Sequence, residues 1–144
     1  MENLYQDIIL DHNRRPRNYG LPDNPTHRAE ARNTLCGDEM EVVLEVQGER
    51  IREICFRGQG CAISKASASL MTEALTGLSV DEARAHTGRV IDGLENGSEE
   101  TGLFLTGELA ALSGVRRFPA RIKCALLAWK ALLAALEDGQ SVKI

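Results

Sequence analysis

The 144-residue chain contains no CxxC pair, no internal repeat, no low-complexity linker and no apolar run near the ~20 residues of a membrane-spanning helix. Without a CxxC pair, zinc-ribbon and thioredoxin-type readings lack a local motif. Its first residues carry acids and no basic run, unlike a secretory leader, so the expected compartment is the cytoplasm and no membrane partner is expected. The formal net charge of −4 argues against a general nucleic-acid binder. With 43% hydrophobic and 26% charged residues, the composition is that of a globule able to bury a core without staples, which excludes intrinsic disorder. One domain over 1–144 is expected.

The hydrophobic pattern changes along the chain. Leu4, Tyr5, Ile8, Ile9 and His12 recur at helical spacing over residues 2–13, and Pro16 ends that helix. Val42, Leu44 and Val46 alternate with other residues, Gly48-Glu49 offers a turn into residues 51–56, and a further strand precedes them around 28–33. Gly58-Gln59-Gly60 then leads to a helix from Cys61 to about Leu75, in which Ala62, Ser64, Ala66, Ser67, Ala68 and Ser69 keep the side chains small. Ser79 with Glu82 three residues on signals a capped start for a helix fading near Gly93, and a short helix is expected over 103–112. Phe118, Ile122, Leu126, Trp129, Leu133 and Leu136 form the stripe of a last helix, with Pro119 in its first turn and Asp138-Gly139 at its end. Helix, three strands, then helices predict an α+β fold: a small antiparallel sheet with helices on one face.

Cysteine holds the chemical interest. Chains in a reducing compartment do not keep structural disulfides, so the four cysteines are inert core residues or converge for chemistry. Cys124 falls roughly 140° from the centre of the last helix's apolar stripe, which places it on the exposed side, near Arg121 and Lys123, cations that would favour its thiolate. Cys61 stands at a helix N-terminus, where the dipole has the same effect. Cys36 lies in Cys36-Gly37-Asp38, where Gly37 permits a turn that lets Cys36 and Asp38 point to one place. Three thiolates and a carboxylate could make a tetrahedral zinc site. The intervals of 25 and 63 positions between these cysteines do not separate that reading from buried, inert thiols, or from Asp38 as a turn residue. Cys55, mid-strand between Ile54 and Phe56, reads as incidental; His12 reads as a residue that packs or hydrogen-bonds at the end of the first helix, and His27 and His86 have no ligand partner nearby in sequence. A basic run (Arg116, Arg117, Arg121, Lys123, Lys130) and an acidic one (Asp92, Glu95, Glu99, Glu100, Glu108) read as solvated faces, the basic run with docking of an acidic partner as a second reading.

Four stretches occur together and in order: Leu10-Asp11-His12 with Pro16-Arg17-Asn18 and Gly20; Cys36-Gly37-Asp38; Gly58-Gln59-Gly60-Cys61-Ala62-Ile63-Ser64 continuing through Ser69; and Phe118-Pro119-Ala120-Arg121-Ile122-Lys123-Cys124 continuing to Trp129. In these the chain resembles the IscU/NifU N-terminal family of iron–sulfur cluster assembly proteins, and its SufU branch in particular. Lys123 stands where scaffold-type members have His, Phe118-Pro119-Ala120-Arg121-Ile122 stands where they have LPPVK, and extra residues fall around 88–105. The resemblance implies a SufE/IscU-like fold and zinc held by Cys36, Asp38, Cys61 and Cys124. It implies a sulfurtransferase that takes persulfide sulfur on Cys36 from a PLP-dependent, SufS-like cysteine desulfurase, a side chain of which replaces Cys36 on the metal. A downstream cluster-assembly scaffold would receive the sulfur. The alternative it leaves open is a non-enzymatic scaffold for a 2Fe–2S cluster. Arg121 is the candidate for orienting Asp38 or meeting the partner, with Lys123 beside it.

Overall fold

A computed structural model describes residues 2–96, 107–137 and 141–143. The order is α1 (Glu2–Arg14), β1 (His27–Asn33), β2 (Asp38–Gln47), β3 (Arg50–Gln59), α2 (Ala62–Leu75), α3 (Val80–Asn96), a 3-10 segment (Gly107–Arg117), α4 (Pro119–Leu136) and β4 (Ser141–Lys143). The expected antiparallel three-stranded meander is present, with Val42 opposite Phe56 and Leu44 opposite Ile54. A fourth strand extends it: β4 pairs parallel to β1, giving the order β3-β2-β1-β4. Three residues carry too little alternation to signal a strand; the pairing with β1 defines it.

Alternation along β2 and β3 sends Met40, Val42, Leu44, Ile54 and Phe56 into the core beneath α2 and α4. The edge of β3 is covered by residues 18–20: Gly20 N–H donates to Phe56 O at 2.8 Å and Phe56 N–H to Asn18 O at 3.1 Å. Asn18 reaches this position with φ +60 and ties it to α2 through Nδ2–H to Thr72 Oγ1 at 2.9 Å. Gly58 is required at the start of the β2–β3 ladder, because a Cβ there would come 2.2 Å from the Glu39 carbonyl oxygen. That close approach draws the end of β3 against the first residues of β2.

The thin face of α2 lets it approach α4. Trp129 Nε1–H donates to Ser67 Oγ at 3.0 Å, and Ser67 donates on to Ala125 O at 2.6 Å, with Trp129 and Ser67 fully buried. The expected cap of α3 is a reciprocal box: Glu82 N–H to Ser79 Oγ at 3.1 Å and Ser79 N–H to Glu82 Oε1 at 3.3 Å. This helix runs past Gly93 to Asn96. The helix expected over 103–112 is replaced, from Gly107, by the 3-10 segment to Arg117; residues 103–106 and Asp138-Gly139 lie outside the described residues.

One expectation fails. The single apolar stripe of α4 does not separate a core side from an exposed side, because α4 lies between β1 and β2 on one flank and α2 and α3 on another. Ala128, Ala131 and Ala135, off the stripe, are as buried as Trp129. A helix packed on both sides is apolar nearly all round.

Candidate metal centre

The loop between β1 and β2 builds one side of the site. Asn33 pairs with Asp38 across the ladder, leaving Thr34, Leu35, Cys36 and Gly37 to turn the chain. Gly37 takes φ +77 and its N–H donates to Asn33 O at 2.8 Å, while Leu35 N–H donates to Asn33 Oδ1 at 3.1 Å. This side chain-closed turn lifts Cys36 to the surface and starts β2 with Asp38 pointing inward. Cys61, the N-cap of α2, and Cys124, in the second turn of α4, face it.

Ligand atoms of Cys36, Asp38 and Cys124 all lie within 4.8 Å of one another, and the two sulfurs are 3.7 Å apart. Cys61 is a neighbour outside this tight group: its backbone N–H bonds to Asp38 and its Sγ is 3.5 Å from Ser64 Oγ. Asn33, buried, directs Nδ2–H toward Cys124 Sγ at 3.9 Å. Cys55 lies on the far face of the sheet, where burial and then the Glu53 charge push its thiol up to about 11, which keeps it protonated and inert.

Three expectations need correction. Cys124 is buried, with only 6% of its surface exposed, because the flank of α4 that carries it packs inward. Burial, and then the charge of Cys61, raise its thiol well above the ordinary value, so Arg121 and Lys123 do not favour its thiolate. Arg121 does not orient Asp38. Its guanidinium lies over the Phe118 ring, 5.2 Å from the centroid, exposed like Lys123, and no hydrogen bond or ion pair joins it to Asp38 among the described residues. The oxygen of Asp38 is held instead by Ser64, whose Oγ–H donates to Oδ2 at 2.5 Å. Burial pushes the Asp38 carboxyl up, but bonds from Ser64, Cys36, Cys124 and the Cys61 amide outweigh it and hold the carboxyl below its ordinary value.

These donors fit a zinc ion. Asp38 is a buried carboxylate that no Lys or Arg pairs among the described residues, set against the buried Cys124 thiol, which resists ionisation on its own. A dication supplies the missing positive charge and is the ordinary partner of such a sulfur and oxygen set.

The NifU-like N terminal domain family matches residues 4–141. The chain belongs to that family. Among relatives, it is 38% identical over 141 residues to the zinc-dependent sulfurtransferase SufU of Bacillus subtilis, covering 96% of this chain and 95% of that one. It is 36% identical over 146 residues to the iron–sulfur cluster assembly scaffold protein IscU of Streptococcus pyogenes, covering 99% and 89%. A solved structure titled as an iron–sulfur cluster assembly scaffold protein for the SUF system, from Fervidobacterium islandicum, superposes with a TM-score of 0.81 at 30% identity, covering 94% of this chain and 98% of that one. This NifU-like chain has the α+β fold expected of it, and no described helix is long and apolar enough to cross a membrane.

Two residues of the centre escaped the sequence reading, Asn33 and Ser64. Asn33 had a signal: an Asn at the head of a turn closed by Gly is a common loop-closing pattern. Ser64 had none, one serine among several in α2. A second group, His12, Glu73 and Glu108, also gathers within 4.8 Å. His12 is fully buried with both ring nitrogens engaged, Nδ1 with Ser69 Oγ at 2.8 Å and Nε2 with Glu108 Oε2 at 3.2 Å, so it ties α1, α2 and the 3-10 segment together.

Proposed function

We propose that this protein is a zinc-dependent sulfurtransferase of iron–sulfur cluster assembly, which accepts persulfide sulfur on Cys36 from a SufS-like cysteine desulfurase and passes it to a downstream scaffold. The observation that carries the reading is the convergence of Cys36, Asp38 and Cys124 within 4.8 Å, with Cys61 beside them and Cys36 the exposed member of the tight group. The name of the Bacillus subtilis relative supports it.

Cys36, Asp38, Cys61 and Cys124 would hold the metal. Zinc bound there keeps thiols ionised at neutral pH and adds no redox chemistry of its own. Asp38 and Cys124, both buried and braced by Ser64 and Asn33, are fixed points of the centre. Cys36 sits on a short exposed turn where an incoming donor can reach it, whereas Cys61, also exposed, is anchored at the N-cap of α2. Its thiolate attacks the outer sulfur of the donor's protonated persulfide. The donor's S–S bond breaks as a new one forms on Cys36, the outer sulfur keeps its hydrogen, and the donor cysteine leaves as thiolate. No net electrons move. Exposed Leu35, next to Cys36 in the chain, and exposed Phe118, Arg121 and Lys123, on the first turns of the helix that carries Cys124, are the docking contacts of this reading.

Metal content of anaerobically purified protein, measured together with desulfurase stimulation, tests the reading. About one zinc per chain with stimulation is expected. Stoichiometric iron with visible absorption and no stimulation would instead favour the scaffold reading that the Streptococcus pyogenes relative's name supports.

A further inference from the structure

We propose that Ser64 is a positioning residue of the metal centre: its hydroxyl fixes Asp38 against the thiols, and Gly60 preserves the space in which it does so. The inference rests on the reading of Cys36, Asp38, Cys61 and Cys124 as ligands. Ser64 is fully buried in the first turn of α2, with Oγ 2.5 Å from Asp38 Oδ2 and 3.5 Å from Cys61 Sγ. A hydroxyl has one hydrogen to give, and an ionised carboxylate can only accept. The hydrogen of Ser64 therefore goes to Asp38, and the Cys61 thiol, while protonated, is the donor to Ser64 Oγ. A chain Cys61 S–H to Ser64 O–H to Asp38 joins the N-cap of α2 to the first residue of β2. When Cys61 gives up its proton, Ser64 still holds Asp38 by one oxygen and leaves the other for the metal.

The packing around this pair is specific. A Cβ on Gly60 would lie 3.0 Å from Ser64 Cβ and 3.3 Å from Asp38 Cγ, so any side chain there pushes the two groups out of place.

Zinc affinity measured by chelator competition for wild type, Ser64→Ala, Asp38→Ala and the double variant tests this. Ser64→Ala is expected to weaken zinc binding about 10- to 100-fold, the usual effect of removing a group that orients a ligand. In the Asp38→Ala background the same change should alter affinity by less than about twofold, since its target is gone. The cobalt(II)-substituted Ser64→Ala protein should also show displaced ligand-field bands. An affinity within about twofold of wild type, or an equal loss in both backgrounds, would overturn the role assigned to Ser64. If Ser64→Ala does not fold by circular dichroism, Gly60→Ala presses on the same pair and takes its place in the two-background comparison. A wild-type protein that binds no zinc overturns the underlying reading instead.

Discussion

Replacing Asp38 by Ala acts differently with and without metal. Without metal, the carboxylate is 6% exposed, and the hydrogen bonds it accepts outweigh the cost of burying its charge. Removing it therefore takes away a net stabilising group and leaves the buried Ser64 hydroxyl without its acceptor, a loss of about 1–3 kcal/mol. Metal-free Asp38→Ala should melt roughly 3–12 °C below metal-free wild type. With zinc the balance changes. A structural zinc site is worth about 10–16 kcal/mol over four ligands, so one ligand carries roughly 3–4 kcal/mol, or about 100- to 1000-fold in affinity. Chelator competition and paired melting curves with and without zinc read both quantities. The reasoning is refuted if zinc affinity is unchanged, or if the substitution lowers the metal-free and loaded melting temperatures equally.

The other expectations follow from the same geometry. Cys36→Ala should abolish persulfide acceptance, followed by mass spectrometry, while keeping much of the zinc; Cys61→Ala and Cys124→Ala should lose both, and equal metal loss in all three with stimulation intact would refute these roles. Alkylation of metal-free protein at pH 8 should label exposed Cys36 quickly and Cys55 slowly, since Cys55 is buried with its thiol near 11. Asp11 accepts from Arg17 Nη2–H at 2.6 Å and from Arg15, which lower its carboxyl below 3.8. Its NMR titration midpoint should therefore lie below that value and rise in Arg17→Ala; the stabilisation it gives is present above pH 3.8 and fades as pH falls through the lowered midpoint. Gly58→Ala should cost on the order of 2–3 kcal/mol in denaturant unfolding, because its Cβ would meet the Glu39 carbonyl oxygen.

Local signals carried much of this fold. The Ser79 and Glu82 box, the alternation of Val42 and Leu44 and the Pro119 start of α4 are short-range patterns, and the structure has each where the pattern lies. β4 was not legible, because three residues owe their strand to pairing with β1. Cys124 shows a subtler failure. Its angle away from the Trp129 stripe is right, but angle alone cannot say whether the second flank of a helix meets water or a sheet. The alanines at 128, 131 and 135 were the available sign that it meets a sheet, since small residues permit close packing. Convergence of the candidate ligands was legible only through family resemblance; intervals of 25 and 63 residues carry no geometric information until the sheet brings Asn33, Asp38 and α4 together. The cations near Cys124 in sequence misled for a related reason: Arg121 stacks on Phe118 and burial governs the thiol.

X-ray absorption at the zinc edge of the intact, anaerobically purified protein addresses the ligand set most directly. Three sulfurs at about 2.3 Å and one oxygen at about 2.0–2.2 Å are predicted, with Cys61 drawn in to join Cys36, Asp38 and Cys124. A first shell with two sulfurs or fewer, or one completed by imidazole nitrogen, would contradict the account.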